Sequence, residues 1–143
     1  MSQNFLSIYA KSFNWAGFFL PKELYKSSSD LYDFCRTLDD IADQNLELEN
    51  KKEKFEKFKN QFKNKNLENS IIKKIYNLIE NFEISPNIIL DLFDGVESDL
   101  KKEVKINTKK ELLIYSYRVA GTVGLMMAKI LKVNKKNSLK SAI

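Results

Sequence analysis

The chain contains no histidine. That absence removes Ser–His and Cys–His nucleophile pairs and every His-ligated metal site. A single cysteine, Cys35, excludes an internal disulfide and a cysteine-rich zinc site. It lies in an apolar stretch and reads as a small core residue rather than a nucleophile. Two prolines and four glycines leave little material for turns, which predicts long elements. No apolar run approaches the roughly 18 residues of a membrane span, and the apolar part of the opening "MSQNFLSIY" is too short for a signal. The expectation is a cytoplasmic protein, with peripheral contact to a membrane surface left open. A basic stripe interleaved with aromatics is missing as well. The net charge is +5, but lysine and asparagine are spread along the whole chain. Nucleic acid is therefore not the expected partner, whereas a diphosphate or an anionic lipid surface is compatible.

What is present is the material of one helical domain. The 143 residues are 43% hydrophobic and 12% aromatic, enough to bury about 70% of the unfolded surface. The helical period runs through almost every segment. Helices are predicted over residues 4–19, 21–44, 47–64, 71–82, 86–100 and 108–131, and another from about residue 135. Pro21 and Pro86 suit first helical turns, and Thr108 with Glu111 has the capping-box spacing. The second helix buries Leu24, Leu31, Phe34, Cys35, Leu38 and Ile41; the third repeats Phe55, Phe58 and Phe62. No strand alternation and no internal repeat appears. The fold class is all-α.

The stretch "LYDFCRTLDDIADQ" places three carboxylates within five positions. On a helix Asp39 and Asp43 lie one turn apart, and Tyr32, Arg36, Asp39, Asp40 and Asp43 form one polar ridge beside the apolar stripe. Repulsion between these carboxylates requires either screening by water or a cation between them. The bland reading is a solvated acidic face with an Arg36–Asp40 surface pair worth about 0.3–0.5 kcal/mol. The functional reading is Mg²⁺, which takes oxygen ligands and binds through one or two carboxylates plus substrate phosphates. A second unusual stretch, "YSYRVAGTVGLMMAKIL", carries Gly121 and Gly124 inside a helix at a cost of about 1 kcal/mol each. With Ala120 and Ala128 they mark either close helix packing or a groove for an elongated apolar ligand. The aromatic-rich "AKSFNWAGFFLP" fits an apolar tunnel wall or a core.

Together these stretches resemble the squalene/phytoene synthase family, the head-to-head isoprenoid synthases. "KSFNWAGFFLP" resembles the family's S-F-x-x-(A/G)-x-x-L-P segment, and "LYDFCRTLDDIAD" its first aspartate-rich motif. "LFDGVESDL" resembles the G-x-x-x-D-L segment, and "YSYRVAGTVGLMM" is nearly the family's Y-x-Y-R-V-A-G-T-V-G signature. The resemblance implies an isoprenoid-synthase helical fold. It implies a prenyltransferase that joins two allylic prenyl diphosphates through a cyclopropyl diphosphate, phytoene synthase-like and in carotenoid biosynthesis. A squalene synthase-like enzyme and a non-catalytic binding or assembly protein of the same fold are the alternatives. By motif match, Asp39 and Asp43 would coordinate Mg²⁺ bridging to the diphosphate, with Asp40 in support. Arg36, Ser12 and Tyr32 would contact the diphosphate region. Tyr117 and Phe13 would flank the reacting carbons, and Arg118 would partner Asp99 or the diphosphate. Gly121 and Gly124 would open the substrate groove.

The family's second aspartate-rich motif is absent from the sequence. The expectation is therefore that residues 1–143 form a partial isoprenoid-synthase domain, inactive in isolation, with one metal half-site. Asp91 and Asp94 are expected to face solvent, and Asp99 is not expected to replace the second motif. A strip comprising Phe13, Trp15, Phe18, Val123, Met126 and Met127 is expected to be uncovered and to favour self-association.

Overall fold

The computed structural model describes residues 18–101 and 105–132, with Lys11. Among the described residues the chain forms α1 (Lys22–Asp43), α2 (Leu48–Lys63), α3 (Ser70–Phe82) and α4 (Pro86–Asp99). It continues with α5 (Lys109–Ser116), a π-helical turn (Tyr117–Gly121) and α6 (Thr122–Ile130), and there is no strand. The expected first and last helices, with Ser12, Phe13 and Trp15, lie outside the described residues.

Helix boundaries follow local chemistry. Pro21 sits at the cap of α1, one residue before the first turn. Ser85 accepts a hydrogen bond from the Asn87 N–H, and Pro86 follows at the first helical position of α4, where a missing N–H costs nothing. The predicted capping box opens α5. The Glu111 N–H donates to Thr108 Oγ1 at 3.1 Å, and the Thr108 N–H donates to Glu111 Oε2 at 3.1 Å.

The core is aromatic at its centre. Phe34 of α1 meets Phe93 of α4 edge-on at 5.8 Å and Phe58 of α2 at 5.8 Å. Phe62 lies 5.4 Å from Phe93 and stacks at 5.1 Å on Tyr76 of α3. The Tyr76 hydroxyl donates to the Phe62 carbonyl at 2.7 Å, so its polar end is satisfied. Such ring pairs add about 0.5–1.5 kcal/mol each beyond the area they bury. The phenylalanine repeat of α2 is thus the seam joining α1, α2 and α4. Around it pack Ile72, Ile75 and Leu78 of α3, and Met126 and Ile130 of α6. Polar clamps fix the helix pairs. Lys59 of α2 donates to Asp94 at 3.2 Å and Glu97 at 2.8 Å, both on α4. Lys74 of α3 donates to Asp33 of α1 at 2.8 Å.

The structure corrects three expectations. The helix predicted over residues 108–131 is not uniform: it widens at Tyr117–Gly121, where the Thr122 N–H reaches back to the Tyr117 carbonyl. Thr122 Oγ1 donates to the Arg118 carbonyl at 2.8 Å, which helps satisfy the loosened turn. Of the strip expected to be uncovered, the described part is mixed. Met126 is fully buried, and Val123 and Met127 pack on the core, while Phe18 is exposed. The exposed apolar side chains of this region are Leu112, Leu113 and Ile114, on α5, which has no buried residue. Finally, Asp91 and Asp94 are half-buried and partnered rather than turned freely to solvent.

Close helix packing occurs at Gly95. A Cβ placed there would stand 2.8 Å from Arg118 Cβ, 3.0 Å from Val119 Cγ1 and 3.1 Å from the Arg118 carbonyl carbon. Arg118 Cβ and the Arg118 carbonyl carbon are fixed by the backbone and cannot swing aside. α4 therefore lies directly on the π turn. Gly95→Ala is expected to destabilise the fold by about 1–3 kcal/mol through overpacking, measured by urea denaturation. The gain that alanine brings to an open helix position would contradict this close approach.

Candidate functional site

α1 carries its acidic residues because its apolar stripe, Leu31, Phe34 and Leu38, anchors the opposite side in the core. At 3.6 residues per turn, Asp39 and Asp43 fall on the flank next to α4 and the π turn. They line a cavity of about 370 Å³. Its polar wall is completed by Asp99, the last residue of α4. Its apolar wall comes from Leu92 and Val96 of α4, Val119 of the π turn and Val123 of α6. Leu38, Ala42 and Cys35 close the α1 side.

Of the polar ridge predicted on α1, Asp39 and Asp43 line the cavity, whereas Tyr32, Arg36 and Asp40 do not and contact one another. Arg36 Nη1 donates to the Tyr32 hydroxyl at 3.4 Å, and Arg36 Nε lies 3.8 Å from Asp40. Contact with Tyr32 and the Asp40 charge raise the Arg36 pKa further, so the guanidinium is a permanent cation at the rim.

Asp39 is open to water at the cavity mouth. Even so, the surrounding wall removes enough solvent from its carboxyl to push its pKa up, and the charges of Asp43, Asp40 and Asp99 add to that rise. The site thus concentrates negative potential that no described side chain neutralises by an ion pair at Asp39, Asp43 or Asp99. Asp99 has a neutral partner instead. The Tyr115 hydroxyl donates to its two carboxylate oxygens at 2.9 and 3.2 Å. Burial and the adjoining carboxylate raise the Tyr115 pKa and keep it a protonated donor. Burial, with the Asp39 charge beside it, pushes the Cys35 thiol up to about 12, so it lines the cavity as a neutral, unreactive group.

Other predicted residues stand elsewhere. Tyr117 donates to Asp91 Oδ2 at 3.2 Å and does not line the cavity. Arg118 lies on the other side of α4, between clefts of about 420 and 530 Å³ that also contain Ser98 and Lys101. The side-chain partner of Asp99 is Tyr115, not Arg118. Gly121 is buried in the π turn and Gly124 is half-buried on α6; the residues of that segment that line the cavity are Val119 and Val123. Ser12 and Phe13 fall outside the described residues. Asp99 and Tyr115 were not anticipated as a pair at the site. The spacing Leu92, Val96, Asp99 held the signal, since i, i+4 and i+7 share one helical face and two of the three are core residues.

A carboxylate pair on one helix, a third carboxylate opposite and an apolar floor have the oxygen chemistry of a hard cation such as Mg²⁺. Among the described residues no three Asp, Glu or Cys side chains converge tightly enough to hold a metal alone.

Residues 6–143 match the profile of the family described as Squalene/phytoene synthase. The chain belongs to that family, a family of transferases with the all-α isoprenoid-synthase fold. It is 32% identical to the 4,4'-diapophytoene synthase of Staphylococcus haemolyticus over 127 residues, covering 86% of this chain and 44% of that protein. It is 27% identical to the chloroplastic phytoene synthase 1 of Zea mays over 136 residues, covering 87% of this chain and 31% of the relative. A bifunctional lycopene cyclase/phytoene synthase of Pyrenophora tritici-repentis is 29% identical over 141 residues, which cover 24% of its length. The chain thus spans less than half the length of these curated relatives. Among the described residues no helix is long and apolar enough to cross a membrane.

The raised Asp39 pKa has a defined consequence for stability. The folded state holds this proton more tightly than the unfolded chain, so stability falls as pH rises through the window just above the ordinary carboxylate pKa of about 4. Asp39→Asn should therefore stabilise the metal-free chain at pH 7, by less than about 1 kcal/mol because water screens so exposed a group. The difference should vanish as pH drops to about 4, followed by thermal melts across pH.

Proposed function

We propose that this chain forms the diphosphate-binding wall of a head-to-head prenyltransferase of the phytoene synthase type. The observation that carries the reading is the two-sided cavity, with Asp39, Asp43 and Asp99 on one side and Leu92, Val96, Val119 and Val123 on the other. Such a cavity suits a ligand with an anionic head, bridged by a cation, and an apolar tail. The printed names of the relatives are those of phytoene-type synthases, which favours this reading over a squalene-type product.

In this reading Asp39 and Asp43 hold Mg²⁺ together with the diphosphate, and Asp99 adds negative potential from the end of α4. When bound, the metal neutralises charge that develops on the departing diphosphate. Arg36 offers its fixed cation to diphosphate oxygens at the rim, while Asp40 and Tyr32 hold the guanidinium in place. The valine and leucine side chains exclude water from the reacting end of the prenyl chain, where a carbocation would otherwise be captured. Tyr115 keeps Asp99 oriented without neutralising it. No general base of the histidine type is required, and none exists in the chain.

Calorimetry with Mg²⁺ and geranylgeranyl diphosphate tests the reading on the 143-residue chain. Each is expected to bind weakly alone and more tightly together, because each supplies part of the other's coordination. Asp39→Asn with Asp43→Asn should abolish that mutual enhancement while leaving the far-UV circular dichroism unchanged. Undiminished enhancement in the folded double variant would refute the assignment.

A further inference from the structure

On the other side of α4 from the carboxylate cavity, the cleft of about 420 Å³ carries charge of the opposite sign. Lys101, Lys105 and Arg118 line it, against a single carboxylate, Glu111. That carboxylate accepts from the N–H groups of Asn107 and Thr108 at 2.7 and 3.1 Å, and so is committed to the cap of α5. Among the described residues no carboxylate forms an ion pair with Arg118 or Lys101. Asp94 and Glu97 of the adjoining cleft are held instead by Lys59, at 3.2 and 2.8 Å. Arg118 is anchored at its root, since α4 passes it at Gly95 too closely to admit a Cβ. The Ser98 hydroxyl in the cleft wall donates to the Gly95 carbonyl at 2.6 Å, and the Tyr115 hydroxyl donates to Asp99. The side-chain donors offered to a ligand are therefore cationic. Ile106, Ile114 and Tyr115 add apolar surface beside them.

We propose that this cleft is a second ligand site, which takes a soluble phosphate monoester with an apolar or aromatic body. A guanidinium fork matches two phosphate oxygens at once, and an ammonium group adds a point charge. A neutral ligand would cover these cations without pairing them, at a cost in desolvation. The isoleucines favour an ester with an apolar body over the bare anion, because only the ester buries them. The cleft volume lies within the range of small-molecule pockets, about 300–1,000 Å³. No bridging metal is needed here, in contrast to Asp39 and Asp43, because the protein itself supplies the positive charge. The site is independent of the diphosphate reading of the carboxylate cavity.

Calorimetry of the 143-residue chain with phenyl phosphate, without Mg²⁺, tests this site. Binding is expected, tighter than that of inorganic phosphate and weakening as salt rises. Phenol should not bind. Arg118→Gln and Lys101→Gln should each weaken binding by about tenfold or more, through loss of a charge-assisted hydrogen bond. Lys101 is exposed, so its variant keeps the test valid even where Arg118→Gln disturbs the fold. Ile114→Ser should weaken binding of phenyl phosphate but not of inorganic phosphate. Asp39→Asn with Asp43→Asn should weaken neither. Failure of phenyl phosphate to bind, or indifference to both cation variants, would overturn the proposal. An equal loss from Lys57→Gln with Lys63→Gln on α2 would overturn it too, by reducing the effect to overall positive charge. Dependence on Mg²⁺ and on Asp39 would do the same by assigning the ligand to the carboxylate cavity. So would Arg118-dependent binding of phosphatidic acid vesicles with none of phenyl phosphate, which would assign the cleft to a lipid headgroup.

Discussion

A hydrogen atom where other residues carry a methyl group governs how the two halves of the cavity meet. At Gly95 the backbone of α4 approaches the π turn so closely that any Cβ would collide with Arg118 and Val119. This approach brings Val119 into the cavity wall and sets Tyr115 within hydrogen-bond reach of Asp99. The widened turn contributes as well. A π turn shifts the side chains that follow it relative to a regular helix, and such turns concentrate at functional sites. Here Tyr115 precedes the turn and Val123 follows it, yet both serve the same small region beside α1.

The aromatic seam supplies the rigidity that this arrangement requires. Phe34 and Leu38 fix α1 against Phe93 of α4, so the orientation of Asp39 is set by side chains a turn or so away on the same helix. The carboxylates then sit where their mutual repulsion is unrelieved by any described cation. A folded chain tolerates that conflict because the core more than offsets it. Lys59 offers a useful contrast. It too faces carboxylates, but as the cation between Asp94 and Glu97 it is ion-paired with both.

Much of this was legible in the sequence, for reasons that differ by element. α2 and α3 declare themselves through apolar spacing, and α4 also through its Ser85–Pro86 start, because a surface helix must bury one face and terminate its backbone. Asp39 and Asp43 were legible because one turn of helix separates them. Which residues of that ridge line the cavity was not, since it depends on which flank of α1 meets α4. The π turn was hidden because Tyr117–Gly121 keeps helical dihedrals near those of its neighbours and differs only in hydrogen-bond register. The role of Gly95 was hidden for the opposite reason. A single glycine in a helical pattern is ordinary until the partner surface is known, whereas Gly121 and Gly124 drew notice by being paired. Met126 was expected to be open because its cover was sought from other segments; α6 instead turns it into the described core.

The central claim is that the carboxylates of α1 and α4 share one electrostatic environment. Carbon-detected NMR titration of the aspartate carboxyls tests it directly, in the metal-free chain and in Asp99→Asn. The account predicts that Asp39 titrates above the ordinary carboxylate value and moves back toward it when Asp99 is neutralised. An Asp39 that titrates at or below the ordinary value, indifferent to Asp99→Asn, would contradict it.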